Sequence, residues 1–298
     1  FDLPRSGYFH QVGISDVNHD GKMDVISTSK LGVHAFSGLE PSFPNISAGL
    51  PSGAFIGLAV GNQPRDAHTD IFFSNMTIGG LYAYKGIVGS SWLWQEDIEK
   101  NNLYWNLDMA DSDHDGGYDL AGASKNGGIA IYYFEPTHVD VDYTTGTAPQ
   151  KPSVGALCVD GADLNRDGLT DLVIGTQGIG LTLWSRTDRV HWSEITSEKF
   201  PTFGDIPSVC VGDFDGDFKP DIVAGSTSHK GIYCFRNRGN NNWEEANAGL
   251  PMGENYNPVL FADLNHDGKM EIIAGKPGAG IFIYRYDTDT TSWVSMTR

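Results

Sequence analysis

The residues best placed to do chemistry in this chain are carboxylates on alternate positions of a nine-residue pattern. It reads Asp16-Val-Asn18-His-Asp20-Gly21-Lys22-Met-Asp24, then Asp111-Ser-Asp113-His-Asp115-Gly116-Gly117-Tyr-Asp119 and Asp163-Leu-Asn165-Arg-Asp167-Gly168-Leu169-Thr-Asp171. Two further copies are Asp213-Phe-Asp215-Gly216-Asp217-Phe218-Lys219-Pro-Asp221 and Asp263-Leu-Asn265-His-Asp267-Gly268-Lys269-Met-Glu271. Oxygen side chains at positions 1, 3, 5 and 9 of a tight loop converge on one point, which suits Ca2+ with its about six to eight oxygen ligands. The carbonyls at position 7 (Lys22, Gly117, Leu169, Lys219 and Lys269) and water would complete the shell. Glycine at position 6 permits the sharp turn in four copies. The fifth has Phe218 there and Gly216 earlier, so a different loop path is expected.

An EF-hand begins the same way but needs Glu at position 12 and flanking helices. Position 12 holds Ser27, Gly122, Ile174, Ala224 and Ala274, which excludes that reading. Asp, Asn and Gly are also good turn formers, yet five returns of one pattern argue for metal. Seventeen of the 38 acidic residues fall in these loops, leaving 21 against 20 basic residues elsewhere. About five structural Ca2+ ions are therefore expected, each offsetting repulsion within its loop. A worn sixth copy at Asn62, Pro64, Asp66 and Asp70 has proline where a ligand side chain belongs, which disfavours metal there.

The loops are placed by a longer repeat. The six starts, at 16, 62, 111, 163, 213 and 263, lie 46, 49, 52, 50 and 50 residues apart. Gly32, Gly80, Gly128, Gly180, Gly231 and Gly280 are each followed four residues later by an aromatic: Phe36, Tyr84, Tyr132, Trp184, Phe235 and Tyr284. A later aromatic recurs at Phe43, Trp92, Tyr143, Trp192, Trp243 and Trp293. Between these landmarks lie short apolar or alternating runs such as Val209–Val211 and Ile281–Tyr286, which read as four strands per unit with the acidic loop between the first two. Helices should be few.

Such a unit cannot bury both faces alone, and radial stacking is the propeller solution. The expected fold is therefore all-β: one six-bladed β-propeller domain over 1–298, with four-stranded antiparallel blades at approximately 1–47, 48–97, 98–148, 149–197, 198–247 and 248–298. The last acidic loop starts 35 residues before the end and the first 15 residues after residue 1, so each blade is one continuous segment. Glu135–Lys151 reads as an exposed loop between blades 3 and 4.

Composition narrows the function. The net charge of −18 leaves no basic surface for nucleic acid or anionic membrane. No apolar run is long enough for membrane insertion, and no cationic start leads into an apolar stretch. The first residue, Phe1, suggests a processed or trimmed product. Cys158, Cys210 and Cys234 lack disulfide or zinc spacing and are expected to be buried thiols. No GxSxG, HExxH, P-loop or dinucleotide pattern occurs, so no catalytic residue is named and a binding protein is expected. His19, His114 and His266 at loop position 4 should point to solvent.

Candidate ligand contacts are aromatics off the repeat's rule, Trp94, Tyr104 and Trp105, with Tyr8 and Tyr256 near the start of innermost strands. Trp92, Trp192, Trp243 and Trp293 keep the pattern and are expected in the core. Asn45-Ile-Ser47 and Asn75-Met-Thr77 permit N-glycosylation if the source is eukaryotic.

These loops and their spacing resemble the FG-GAP/VCBS repeat family, whose integrin-type propellers carry Asp-x-Asp-x-Asp-Gly-x-x-Asp calcium loops. The resemblance covers nearly the whole chain, although integrin-like propellers usually have seven blades. It implies a secreted or cell-surface protein that recognises carbohydrate or extracellular protein, as lectins and adhesion receptors do. The alternative it implies is a propeller module of a secreted polysaccharide-active enzyme.

Overall fold

The computed structural model describes residues 9–39, 43–61, 69–87, 91–111, 118–124, 128–134, 139–142, 155–188, 191–228 and 230–297. No α-helix occurs among them, and no helix is long and apolar enough to cross a membrane. The strands form six antiparallel sheets, each from one continuous stretch of chain, giving the six blades of an all-β propeller fold. Two compact units divide the chain, Phe1–Thr145 and Gly146–Arg298.

The first unit holds three blades. Blade 1 is β1 (Phe9–Ser15), β2 (Asp24–Ser29) and β3 (Val33–Phe36); blade 2 is β4 (Phe55–Gly61), β5 (Asp70–Asn75), β6 (Leu81–Ile87) and β7 (Ser91–Glu99). Blade 3 is β8 (Tyr104–Ala110), β9 (Asp119–Ser124), β10 (Ile129–Phe134) and β11 (Val139–Asp142). First strands lie side by side, β1 by β4 and β4 by β8. Gln11 ties one such pair, its Oε1 accepting the Leu58 amide at 2.7 Å. Ile26, Phe55, Phe73 and Trp92 fill one interior of this unit, and Phe72, Leu120, Tyr132 and Phe134 another.

The second unit repeats the plan. Blade 4 is β12 (Ala156–Ala162), β13 (Asp171–Thr176), β14 (Leu181–Arg186) and β15 (Trp192–Ile195); blade 5 is β16 (Ser208–Gly212), β17 (Asp221–Ser226), β18 (Gly231–Asn237) and β19 (Trp243–Glu245). Blade 6 is β20 (Val259–Ala262), β21 (Glu271–Lys276), β22 (Gly280–Asp287) and β23 (Ser292–Ser295). The second strands of blades 4 and 5, β13 and β17, are buried along their whole length. That explains why they read as continuous apolar runs without alternation.

Two expectations need correction. Blade 1 has three strands among the described residues: where the fourth belongs, Phe36 and Asn45 form an isolated bridge. Pro44 stands in that stretch with no N–H to give a ladder, and offers only its carbonyl to the Ser37 amide. The segment 135–151 is also not all loop, because the alternating Val139-Asp-Val-Asp pairs with β10 as β11.

Candidate functional site

The acidic loops join the first two strands of their blades. Four of the nine-residue copies are described throughout, and they share one backbone path. Positions 4 and 6 are left-handed in each: His19 and Gly21 (φ 59° and 82°), Arg166 and Gly168 (65° and 90°), Gly216 and Phe218 (79° and 64°), His266 and Gly268 (60° and 82°). The fifth-blade loop therefore does not take a different path. Its glycine and its bulky residue have exchanged places between two positions of the same conformation, and the bond pattern around them is preserved.

That pattern is built from the acidic side chains. The carboxylate at position 1 accepts amides 5 and 6: Asp16 takes Asp20 and Gly21 at 3.1 and 2.9 Å, and Asp213 takes Asp217 and Phe218 at 3.2 and 2.6 Å. Asp163 and Asp263 do the same. Position 3 also accepts amide 5, through Asn18, Asn165, Asp215 and Asn265. Position 5 accepts amide 7, so Asp20, Asp167, Asp217 and Asp267 hold Lys22, Leu169, Lys219 and Lys269. These are the Asx turns that short oxygen side chains make with their own backbone.

Position 9 opens the second strand in every blade. Asp24, Asp70, Asp119, Asp171, Asp221 and Glu271 pair with Ser15, Gly61, Ala110, Ala162, Gly212 and Ala262, the residues just before each loop. All six are buried. Asp24 accepts the Val17 and Asn18 amides at the head of the loop and the Gly38 amide beyond β3. Asp171 accepts Leu164 and Arg186, and Asp221 accepts Phe214 and Asn237, in the same way. Glu271, one methylene longer, takes the Leu264 amide and the Asn265 amide group. Burial pushes the carboxyls of Asp24, Asp171 and Asp221 up, to about 6 for Asp171 and about 8 for Asp221, although the amide bonds pull them back down.

This donor set of carboxylate and amide oxygens is hard and suits Ca2+. In the fifth-blade loop, one oxygen each from Asp213, Asp215 and Asp221 lie within 4.8 Å of one another. That spacing fits an ion with Ca–O distances of about 2.4 Å. Cations of the chain already approach this loop: the Arg236 guanidinium pairs with Asp215, and the Lys219 ammonium with Asp217 at 2.7 Å. Residues 112–117 and 62–68, with Asp113, Asp115, Gly117, His114, Asn62, Pro64 and Asp66, lie outside the described residues; Asp111 and Asp119 flank the first of these gaps.

Residues not expected at the loops stand behind position 3. Asn18 donates to Ser37 at 3.3 Å and Asn165 to Ser185 at 2.9 Å. Arg236 occupies the matching place, one residue after the patterned aromatic, which is the sequence signal that could have found all three. His19 and His266 are exposed as expected. Arg166, at the same loop position, instead donates to the Phe218 carbonyl of the next loop.

The candidate ligand aromatics separate. Trp94 is 57% exposed. Tyr104 and Tyr256 are buried and are withdrawn as ligand contacts. The Tyr104 hydroxyl lies 2.6 Å from both Glu99 and the Tyr132 hydroxyl. Tyr256 packs edge-on to Phe282. Trp105 is half-buried, and Tyr8 lies outside the described residues. Trp92, Trp243 and Trp293 are buried, whereas Trp192 is half-buried with Arg186 over its ring at 5.3 Å. Cys158 and Cys234 are buried and Cys210 half-buried.

Residues 163–224 and 213–274 each match the model of the FG-GAP-like repeat. Residues 163–274 carry FG-GAP-like repeats. Both matches span two acidic loops of the second unit. No curated protein matches the chain in sequence. Among solved structures, the BP39L lectin from Burkholderia pseudomallei is similar at a TM-score of 0.67 and 14% identity, over 98% of this chain and 83% of that one. A lectin from Agrocybe aegerita, described for specific recognition of non-reducing terminal N-acetylglucosamine, is similar at 0.58 and 12%, over 97% and 80%. The WD40 repeats of RRP9 are similar at 0.60 and 9%, over 99% and 81%. At such identities the likeness is one of fold.

Proposed function

We propose that this chain is an extracellular, calcium-stabilised recognition propeller of the lectin or adhesion type, which binds carbohydrate or protein without turning it over. The carrying observation is the shared geometry of the four fully described loops. Their acidic groups are spent on the loop's own backbone and on a buried anchor at position 9, which makes them architecture and not acid–base groups. Asp16, Asn18, Asp20 and Asp24 and their counterparts would hold the ions, which supply charge to offset the clustered carboxylates. Five ions would bring the net charge from −18 to about −8. The two lectins of similar fold support the recognition half.

The test has two parts. Elemental analysis of dialysed protein should return bound calcium, and chelator should lower the melting temperature. A glycan array should then show selective binding with no cleavage of the bound polymer. An unchanged melting curve would remove calcium from the reading, and cleavage would favour a polysaccharide-active module.

A further inference from the structure

The geometry points to a sugar-stacking site on the outer strand of blade 2, formed by Trp94, Asp97, Tyr82 and Tyr84, that takes an uncharged pyranoside. It rests on the recognition reading above and gives that reading a place and a ligand class.

Trp94 breaks the repeat at an informative position. It stands two residues after the patterned Trp92, where the other described outer strands carry Glu194, Glu245 and Ser295. All three are exposed, as polar residues on a solvent-facing edge should be. Blade 2 puts an indole there and leaves it 57% exposed.

The neighbours of Trp94 make more than a stray aromatic. Tyr84 pairs with Trp94 and Tyr82 with Asp97 across β6 and β7. Cross-strand partners share a face, and so do alternate residues of one strand, so all four side chains stand on the same side of the blade. Trp94 and Asp97 are three residues apart and would ordinarily face opposite ways. The register shift between Ala83 and Tyr84 brings them together. The indole Nε1 then donates to Asp97 Oδ1 at 3.2 Å, which fixes the ring's orientation before any ligand arrives.

The tyrosines give the platform a rigid back. Phe73, fully buried, lies 5.4 Å from Tyr84 and 6.1 Å from Tyr82, and Phe55 meets Tyr82 edge-on at 6.4 Å. Burial, and then the Asp97 charge, hold both tyrosine hydroxyls protonated beyond their ordinary range. They remain donors at neutral pH.

This set matches a pyranose ring. One face of such a sugar carries mainly C–H groups, which gain by leaving water against an aromatic plane. Its rim carries hydroxyls, and a carboxylate has acceptor capacity left after one bond. Preorganised side chains cost little to immobilise. The Asp97 charge and the acidic chain around it disfavour uronic and sialic acids.

The chain of residues 1–298, labelled with 15N at tryptophan, is titrated with methyl β-N-acetylglucosaminide, methyl β-galactoside and glucuronate while the indole N–H signals are followed. At least one neutral glycoside should shift the Trp94 signal, assigned by its loss in Trp94→Phe, and glucuronate should not. Trp94→Ala should weaken that binding about tenfold or more with its melting curve unchanged, and Asp97→Asn should weaken it as well. Equal binding by wild type and Trp94→Ala overturns the site while leaving the recognition reading in place, as does glucuronate binding as well as the neutral sugars. Binding of no glycoside here or on the array overturns the site and the carbohydrate half of the recognition reading, leaving protein as the ligand class.

Discussion

The Asp215 carboxylate accepts the Arg236 guanidinium at the place in blade 5 where the side-chain amides of Asn18 and Asn165 donate to the hydroxyl oxygens of Ser37 and Ser185. The neutral Asn–Ser pair of blades 1 and 4 has become a charged pair, and each loop still keeps three further carboxylates: Asp16, Asp20 and Asp24, Asp163, Asp167 and Asp171, or Asp213, Asp217 and Asp221. The Asp215 side chain is only 2% exposed, so removing its partner leaves a buried charge alone. Arg236→Ser should therefore cost about 3 kcal/mol in urea denaturation with chelator present. Asp215→Asn combined with Arg236→Ser rebuilds the blade 1 arrangement and should recover most of that loss. A double variant no better than the single would show that the two pairs are not equivalent.

The loop turns allow a second check. Gly21 and Gly168 sit at φ 82° and 90°, and a Cβ on either would meet nothing within 4 Å. Any cost of Gly21→Ala or Gly168→Ala is thus conformational, about 1–2 kcal/mol for an L-residue forced left-handed. Gly216→Ala in blade 5 should cost the same, because position 4 there has the φ that position 6 has elsewhere. Thermal melts of the three variants compare the sites directly. A neutral Gly216→Ala would contradict the shared path.

Much of this was legible in the residues because a repeat states its own rule several times. Asp and Gly at fixed offsets marked the turns, and the apolar runs after them marked the second strands, whose burial on both sides suppresses alternation. The misreadings came where one copy departs. Phe218 looked like a different loop because a sequence shows residue types, not the left-handed backbone that His19, Arg166 and Phe218 all adopt. Tyr104 looked available because it lies off the repeat's rule, and Tyr256 because it stands near the start of an innermost strand, while their burial depends on partners in neighbouring strands. Asp97, Tyr82 and Tyr84 were invisible as a group, since only the β6–β7 register with its shift places them beside Trp94.

Positions 5 and 9 of the loops should separate metal binding from architecture. Asp24 is buried and accepts three backbone amides, so Asp24→Asn turns an acceptor into a donor and should cost about 2 kcal/mol or more, with calcium or with chelator. Asp20 is exposed, and the side-chain carbonyl oxygen that Asp20→Asn retains can still accept the Lys22 amide. That substitution should be nearly silent in chelator and destabilising only in calcium, where one ligand charge is lost. Denaturation of both variants in the two buffers gives four values. If Asp20→Asn is equally costly in both, no ion is held at that loop.

Asp160 on β12 gives the fold a pH dependence separate from the loops. Its carboxylate accepts the Val211 amide of β16 at 2.7 Å and the Gly161 amide at 2.8 Å. Burial raises its carboxyl from 3.8 to about 6, with the amides and Cys210 opposing. In the unfolded chain the group loses its proton near its ordinary value of about 4, whereas the folded protein keeps it to about 6. Between those values the folded state binds more protons, so stability falls as pH rises. The contribution is complete below about pH 4 and lost above about pH 6. Asp160→Asn removes the titration while leaving the loop carboxylates common to both proteins. The stability of wild type relative to this variant, measured in chelator, should therefore drop by at most about 3 kcal/mol from pH 4 to pH 7. A difference that stays constant across that range would mean that Asp160 ionises in the fold as readily as in the open chain.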